Sequence, residues 1–246
     1  MLRALILLLT CGMTIPASAY FQLDLLKAKK NNTAAKQWTL ADWLSQRSKQ
    51  RLADQWLALH SSSNDFELNL SAATEAYQLK TDTLGTITST NQYGQVYRAE
   101  FFASIFNVAG EFEKTNEYHE AFGGAGGLRL LGTSSQSTSL LARYGWRRLN
   151  DFAAREHWES QYAEGLLRIY IFSFFGIDVS YRHYLPATSN LDRKLAGHRA
   201  TGGTFIEVSI LRIFAQYFAE TMPLTTAAGT AKNERTGFEA GVTLLF

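Results

Sequence analysis

Cysteine is almost absent from this sequence, since Cys11 is the one cysteine in 246 residues. It lies in segment 1–19, where a basic start, an apolar run and the small residues Ala17 and Ala19 form the pattern of a secretory signal peptide cut before Tyr20. An alternative is that Cys11 is lipidated. Without the leader the chain has no thiol for a disulfide, a nucleophile or a metal site. Its stability must then come from packing and hydrogen bonds.

Long hydrophobic runs and an excess of one charge are also missing. A membrane-spanning helix needs roughly 18 consecutive apolar residues, and the longest apolar clusters after the leader are interrupted by Arg168, Asp178 and Glu207. The chain has 24 basic and 22 acidic residues, a net charge of +2. It therefore lacks the strongly basic field that proteins use to hold nucleic acid. These absences exclude a helical membrane protein and argue against a nucleic-acid partner.

A helical pattern is confined to residues 20–63. Thr39 and Asp42 have the spacing of a helix-start capping arrangement, in which a side-chain oxygen accepts a bond from an early backbone N–H. The apolar residues that follow fall broadly on one helix face: Leu40, Leu44, Leu52, Trp56 and Leu59. The sequence thus predicts an amphipathic helix at about 39–60. It could rest on a membrane surface or cover a barrel mouth, or it could be an exposed spacer.

From Asp65 onward the apolar residues recur at every second position. The alternation is clear at 66–73, 97–101, 140–147, 177–182, 204–210 and 237–246, where a strand would place the two sets of side chains on opposite faces. Short turns are predicted near 103–105, 132–136, 172–175 and 209–212. Long polar loops are predicted near 80–94, 114–120, 150–157, 186–200 and 223–235. This arrangement predicts an all-β antiparallel transmembrane barrel of ten strands over 64–246, with eight strands as the alternative.

Charged residues share one face of each clear strand, opposite the apolar residues. A soluble barrel would have its apolar residues inside, whereas a membrane barrel turns them toward lipid and keeps the charges in its lumen. Arginine can pair bidentately with carboxylate, so we expect a lumen joined by such pairs. The residues predicted for this charge network are Glu67, Arg98, Glu100, Arg129, Arg143, Glu164, Arg168, Asp178, Arg182, Glu207 and Glu239. The same face also has Glu75, Glu111, Arg147, Arg212 and Glu220.

The last eight residues, 239–246, resemble the terminal signal of Gram-negative outer-membrane β-barrel proteins. The features in common are polar Glu239, Gly241, apolar Leu244 and the C-terminal Phe246. The resemblance covers only this tail. It implies insertion by the outer-membrane assembly machinery and contact with outer-membrane lipids and lipopolysaccharide. If Phe246 ends the last strand in the periplasm, the first strand also starts there. Because only the short link 60–64 joins the predicted helix to that strand, we expect segment 20–63 on the periplasmic side. The resemblance implies no activity.

Catalytic and metal-binding patterns are not evident. None of the five histidines lies at ligand spacing from another, so the sequence predicts no metal and no cofactor. The function predicted is that of a structural or surface-interaction barrel. Two alternatives stay open. One is an enzyme acting on lipid or peptide at the outer rim, for which the acid and histidine in 156–159 are the nearest arrangement. The other is a narrow pore, although long charged side chains would fill a lumen of this size.

Overall fold

The computed structural model describes residues 66–83, 86–115, 119–152, 155–226 and 229–246. These residues form ten strands, in the order β1 (Phe66–Thr83), β2 (Thr86–Ala103), β3 (Phe106–Thr115), β4 (His119–Leu131), β5 (Ser139–Asp151), β6 (Glu156–Phe172), β7 (Phe175–Thr188), β8 (Lys194–Val208), β9 (Leu211–Thr226) and β10 (Gly229–Leu245). The predicted signal peptide and helix lie outside the described residues. Within these ranges no helix is long and apolar enough to cross a membrane.

The ten strands form one closed antiparallel barrel. Each strand pairs with its neighbours in sequence, and β1 also pairs with β10, for example Ala72 with Val242 and Glu75 with Glu239. Closure leaves no unpaired sheet edge among the ten described strands. The predicted all-β barrel of ten strands is therefore confirmed, and the eight-strand alternative is wrong.

Neighbouring strands run in opposite directions, so their connections lie alternately at the two ends of the barrel. We call basal the end that holds Phe66 and Phe246, together with the connections 104–105, 132–138, 173–174 and 209–210. The other end, which we call distal, has the connections 84–85, 116–118, 152–155, 189–193 and 227–228. The four predicted short turns are confirmed as the basal connections.

The prediction of long distal loops is wrong, because the strands continue through most of those residues. In segment 80–94, for instance, β1 and β2 stay paired from Lys80 with Ser89 up to Thr83 with Thr86. Polar residues on both faces of a strand indicate that both faces meet water, and they do not prevent backbone pairing. Threonine is moreover frequent there, and its β-branched side chain suits an extended backbone.

Side-chain direction divides the barrel into an apolar outside and a polar inside. In β1 the outward Phe66, Leu68 and Leu70 are exposed, whereas the alternating Glu67 and Asn69 are buried. The other strands repeat this alternation around the wall. A few large aromatic side chains are also fully buried: Phe102, Tyr170, Phe205 and Phe218. The interior is thus a packed polar region with aromatic inserts.

Candidate functional site

Ion pairs between arginine and carboxylate join the interior of the barrel. Within the described strands, nine inward arginines take part: Arg98, Arg129, Arg143, Arg147, Arg168, Arg182, Arg199, Arg212 and Arg235. They pair with ten carboxylates: Glu67, Glu75, Glu100, Glu111, Glu113, Asp178, Glu164, Glu207, Glu220 and Glu239. The two signs nearly cancel. Near cancellation matters because an unpaired charge in a closed interior would be strongly destabilising.

The basal mouth is closed by the connection between β4 and β5, which folds into the lumen. The Ser135 backbone N–H donates to Glu67 at 2.6 Å, and its carbonyl oxygen accepts from Arg168 at 3.0 Å and from Arg212 at 2.8 Å. Gln136 donates to Glu207 at 2.6 Å. These contacts reach β1, β6, β8 and β9 from a single turn. We call residues 132–138 the basal plug.

The middle of the lumen contains a second set of pairs that connects distant strands. Arg182 of β7 donates to Glu111 of β3 at 2.9 Å and to Glu164 of β6 at 3.1 Å. Arg168 holds Asp178 through two nitrogens, at 2.8 and 3.2 Å. A cavity of about 110 Å³ lies among these side chains. The cavity has network residues on its walls, so the middle of the lumen is a mainly charged space.

A third set of pairs closes the lumen toward the distal end. Glu113 accepts from Arg147 and from Arg235, each at 2.6 Å. Glu220 bridges the same two arginines, at 3.2 and 2.9 Å. The guanidinium of Arg235 also lies 4.3 Å from the ring centre of Tyr77. We call this set the distal network. It joins β1, β3, β5, β9 and β10 across the barrel.

Distal to this network lies a pocket of about 180 Å³, which we call the distal pocket. Part of its wall is an apolar cluster of Trp158, Leu195 and Met222, against which Leu149 and Leu224 pack. Residues of the distal network, namely Tyr77, Glu113 and Arg235, line its floor. Its polar rim includes Gln92, His119, Glu120, Asp151, Arg193 and Asn233, and its buried polar wall includes Thr115 and Glu156. The pocket therefore adjoins the distal network on one side.

Two buried polar atoms on residues of this pocket have no hydrogen-bond partner. Glu156 is 2% exposed, and its Oε2 accepts from Arg193 at 3.1 Å while its Oε1 is unpaired. Trp158 is 7% exposed, and its indole Nε1 is also unpaired. Native structures satisfy most buried polar groups, so such atoms call for an explanation.

A row of polar residues crosses four strands at the pocket. In register, Thr115 of β3 lies opposite His119 of β4, His119 opposite Asp151 of β5, and Asp151 opposite Glu156 of β6. The His119 Nε2 atom is 3.3 Å from an oxygen of Asp151. Antiparallel pairing thus brings together side chains that are far apart in sequence.

The structure places all eleven residues of the predicted charge network inside the barrel and in ion pairs. It also places Glu113, Arg199 and Arg235 there, which the sequence analysis missed. Arg199 and Arg235 fell within the predicted loops 186–200 and 223–235. The signal that could have found Arg235 is its position in the two-residue alternation. It lies two residues before Gly237 and four before Glu239, so its side chain points inward like theirs.

The structure places the acid and the histidine of the predicted rim arrangement, Glu156 and His157, on opposite sides of the barrel wall. The His157 side chain alternates with the buried Glu156 and Trp158 and is half-buried on the outer side of the wall. The acid and histidine that the structure does bring together are Asp151 and His119. Sequence reasoning missed this pair because it depends on the register between β4 and β5. The described residues contain no group of three or more His, Cys, Asp or Glu that could hold a metal ion.

The four residues of the predicted assembly signal lie at the basal half of β10 and beside it. Glu239 points inward and pairs with Arg98, whereas Leu244 and Phe246 are outward and exposed. The Phe246 backbone exchanges two hydrogen bonds with Leu68, at 2.9 and 3.0 Å. Phe246 thus takes part in barrel closure. Its role as an assembly signal stays a prediction.

Comparisons with known proteins give structural similarities only. No protein-family model and no curated protein matches this sequence. The chain is similar to the outer membrane protease OmpT from Escherichia coli at 9% identity, covering 76% of this chain and 98% of that one, with a TM-score of 0.43. It is similar to Ail, the attachment invasion locus protein of Yersinia pestis, at 11% identity over 71% of this chain and 98% of that one, with a TM-score of 0.26. It is similar to the KdgM porin at 10% identity over 70% of this chain and 98% of that one, with a TM-score of 0.28. At these TM-scores the similarities carry no argument about activity.

Proposed function

We propose that this chain is an outer-membrane barrel of the structural or surface-interaction type, with a lumen closed to diffusion. In this proposal the basal end faces the periplasm and the distal end faces the outside of the cell. The observation that carries it is the filled lumen, in which the basal plug and two further sets of ion pairs connect opposite walls.

The outer face supports the membrane position. It carries a continuous belt of exposed apolar side chains, including Phe106 at 60%, Val108 at 62% and Phe238 at 66% exposure. Among the described strand residues, outward charged side chains such as Lys114, Arg148 and Glu159 occur only toward the distal end. A belt of this kind is far larger than the apolar patch of a typical soluble monomer, and it fits the hydrocarbon layer of a bilayer.

The partners that follow from this position are the lipids of the outer membrane, with lipopolysaccharide at the distal rim. Insertion through the outer-membrane assembly machinery is part of the same proposal. Water-filled channels occur in much wider barrels, whereas side chains fill the interior of narrow ones. A filled lumen leaves the distal end as the part of the barrel that can meet other molecules.

The test is single-channel recording of the purified full chain in planar bilayers, beside a known porin under the same conditions. We expect no stable conductance steps, because ion-pair sets at three levels of the described lumen connect its opposite walls. Stable steps that scale with salt concentration would contradict the closed lumen. Insertion itself is checked separately, by protease protection of the barrel in the same lipid.

The enzyme alternative is favoured by one observation, the His119–Asp151 pair on the pocket rim. A histidine held by a carboxylate can act as a general base toward water. This alternative predicts that the full chain cleaves a lipid ester or a peptide and that His119→Asn abolishes the cleavage. Activity that is unchanged in His119→Asn would exclude this pair as its source.

A further inference from the structure

We propose that the distal pocket binds a small free molecule in which an apolar group carries a primary amine. The proposal deepens the surface-interaction function and rests on the distal end facing outward. Its three supports are the size of the pocket, the unpaired carboxylate oxygen of Glu156 and the charge of that carboxylate.

The size and wall of the pocket suit one aromatic ring or a short alkyl chain. An apolar protein cavity of about 150 Å³ is known to hold a benzene molecule, and this pocket measures about 180 Å³. Trp158, Leu195 and Met222 supply apolar surface on one side. Burying the apolar part of a ligand there removes it from water, which favours binding.

The unpaired oxygen of Glu156 fixes the kind of polar group that the ligand must have. A carboxylate oxygen accepts hydrogen bonds and cannot donate them, so it requires a donor. Arg193 already occupies the other oxygen, at 3.1 Å. A buried acceptor without a donor is destabilising, and a ligand N–H group that reaches it would remove that penalty.

The charge of Glu156 selects a cation over a neutral donor. The other carboxylates of the lining already have partners: Glu113 pairs with Arg147 and Arg235, Glu120 with Lys114 and Asp151 with His119. Glu156 pairs with Arg193 through one oxygen and has no hydrogen-bond partner at the other. An ammonium group can form a charge-assisted hydrogen bond with that oxygen, whereas a carboxylate ligand would be repelled by Glu156.

The position of the pocket determines the direction from which a ligand can enter it. Its floor residues Tyr77, Glu113 and Arg235 belong to the distal network, so a ligand stops there. The rim side chains of His119 and Arg193 are 41% and 40% exposed. Entry is thus from the distal side, and binding requires no opening of the lumen.

The experiment is titration calorimetry on the folded full chain in lipid nanodiscs, with empty nanodiscs as the blank for partition into lipid. The probes are 2-phenylethylamine, neutral 2-phenylethanol and anionic 3-phenylpropanoate, which share the ring and differ in the polar end. We expect the amine to bind about tenfold or more tighter than the alcohol, because it adds a charge-assisted bond. We expect no binding of the acid.

Three variants locate the site. Glu156→Gln keeps the side-chain volume and removes the charge, so it should lower amine affinity to that of the alcohol. Glu159→Gln is the matched control on the same strand, since Glu159 points outward with a 65% exposed side chain, and it should leave binding unchanged. Ala121→Leu adds volume at a buried position of the pocket and should weaken both the amine and the alcohol.

Two results would overturn the proposal: an amine that binds no better than the alcohol, or an amine whose binding is the same in Glu156→Gln and in the unaltered protein. Folding of each variant is checked by its thermal unfolding.

The outcome of this binding experiment is independent of the conductance test. A barrel that conducts ions but binds the amine would contradict only the closed lumen. A barrel that does not conduct and does not bind the amine would contradict only the proposed amine site.

Discussion

At single positions, the surroundings of a charge decide how much its removal destabilises the protein. Glu113 is buried and touches two arginines of the distal network, whereas Glu159 is exposed and meets Arg148 at 3.3 Å. Removing one member of a buried pair leaves an uncompensated charge, and an exposed pair contributes little because water screens it. Glu113 and Glu159 both pair with arginine, but we expect removal of the buried Glu113 charge to destabilise the protein much more.

We predict that Glu113→Gln lowers the free energy of unfolding by about 3 kcal/mol, because Arg147 and Arg235 would lose part of their compensation in a closed interior. The matched Glu159→Gln should change it by less than about 1 kcal/mol. Urea unfolding of both variants in the same lipid, followed by tryptophan fluorescence, measures the difference. Similar losses for the two variants would argue against a closed, water-poor network.

Val179 tests which face of the wall meets lipid. Its outward side chain is 47% exposed, whereas the next residue, Ser180, is half-buried on the opposite, inner face, beside the central cavity. We predict that Val179→Arg destabilises the inserted barrel by about 2–4 kcal/mol, since it would place a charge in the hydrocarbon layer. Ser180→Asn should be mild because the cavity is polar. The reverse order of the two effects in a lipid refolding titration would invert the assigned faces.

At the scale of one element, the basal plug shows how a turn can close a barrel end. Its entry point, Gly132, has a φ of +94°, a backbone conformation that suits glycine. A Cβ atom at this position would collide with the Thr138 carbonyl oxygen and lie 2.8 Å from the Ser139 Cβ. The glycine therefore allows the segment to turn inward, where Ser135 meets Glu67, Arg168 and Arg212.

We predict that Gly132→Ala destabilises the barrel by at least about 1–2 kcal/mol, from the left-handed backbone and the close contacts together. Gly126→Ala is the control, because nothing lies within 4 Å of a Cβ at that position. It should be close to neutral, within about 0.5 kcal/mol. Thermal unfolding of the two variants compares them. Equal stability would mean that the plug adapts to alanine without strain.

At the scale of the whole molecule, closure depends on the pairing of the first and last strands. Phe246 is the last residue of that seam, and its backbone exchanges hydrogen bonds with Leu68. The predicted assembly signal and the structural seam thus use the same residue. Experiments in cells and with purified protein can separate the two roles.

We predict that deletion of Phe246 leaves unfolded protein in the periplasm, whereas Lys194→Ala, near the distal end, inserts normally. If Phe246 acts as a signal, the purified deletion variant should still fold in detergent, because only the terminal backbone pair of a long strand is lost. Electrophoresis of unheated samples and protease protection report folding in each setting. Normal insertion of the deletion variant in cells would contradict the signal role.

The sequence by itself determined the barrel, because alternation with a period of two places every second side chain on the same face, whatever the neighbouring strands are. The apolar outer face and the charged inner face follow from that local rule, and the count of ten strands follows from the positions of the predicted turns and loops. Leu68, Val179 and Phe238 needed no partner to be identified as outward, and Glu67 and Arg182 needed none to be identified as inward. The strand lengths did not follow, since polar composition was mistaken for loop structure at 80–94 and 223–235.

Only the tertiary structure decided which charges meet and where a pocket forms. Arg182 of β7 reaches Glu111 of β3 across the lumen, and His119 meets Asp151 through the register of β4 with β5. The inward turn of the basal plug depends on Glu67, Arg168 and Arg212 from three other strands. The position of a residue in the two-residue alternation fixes the direction of its side chain. The partner of that side chain depends on the stagger of all ten strands, and that stagger arises only when the barrel closes.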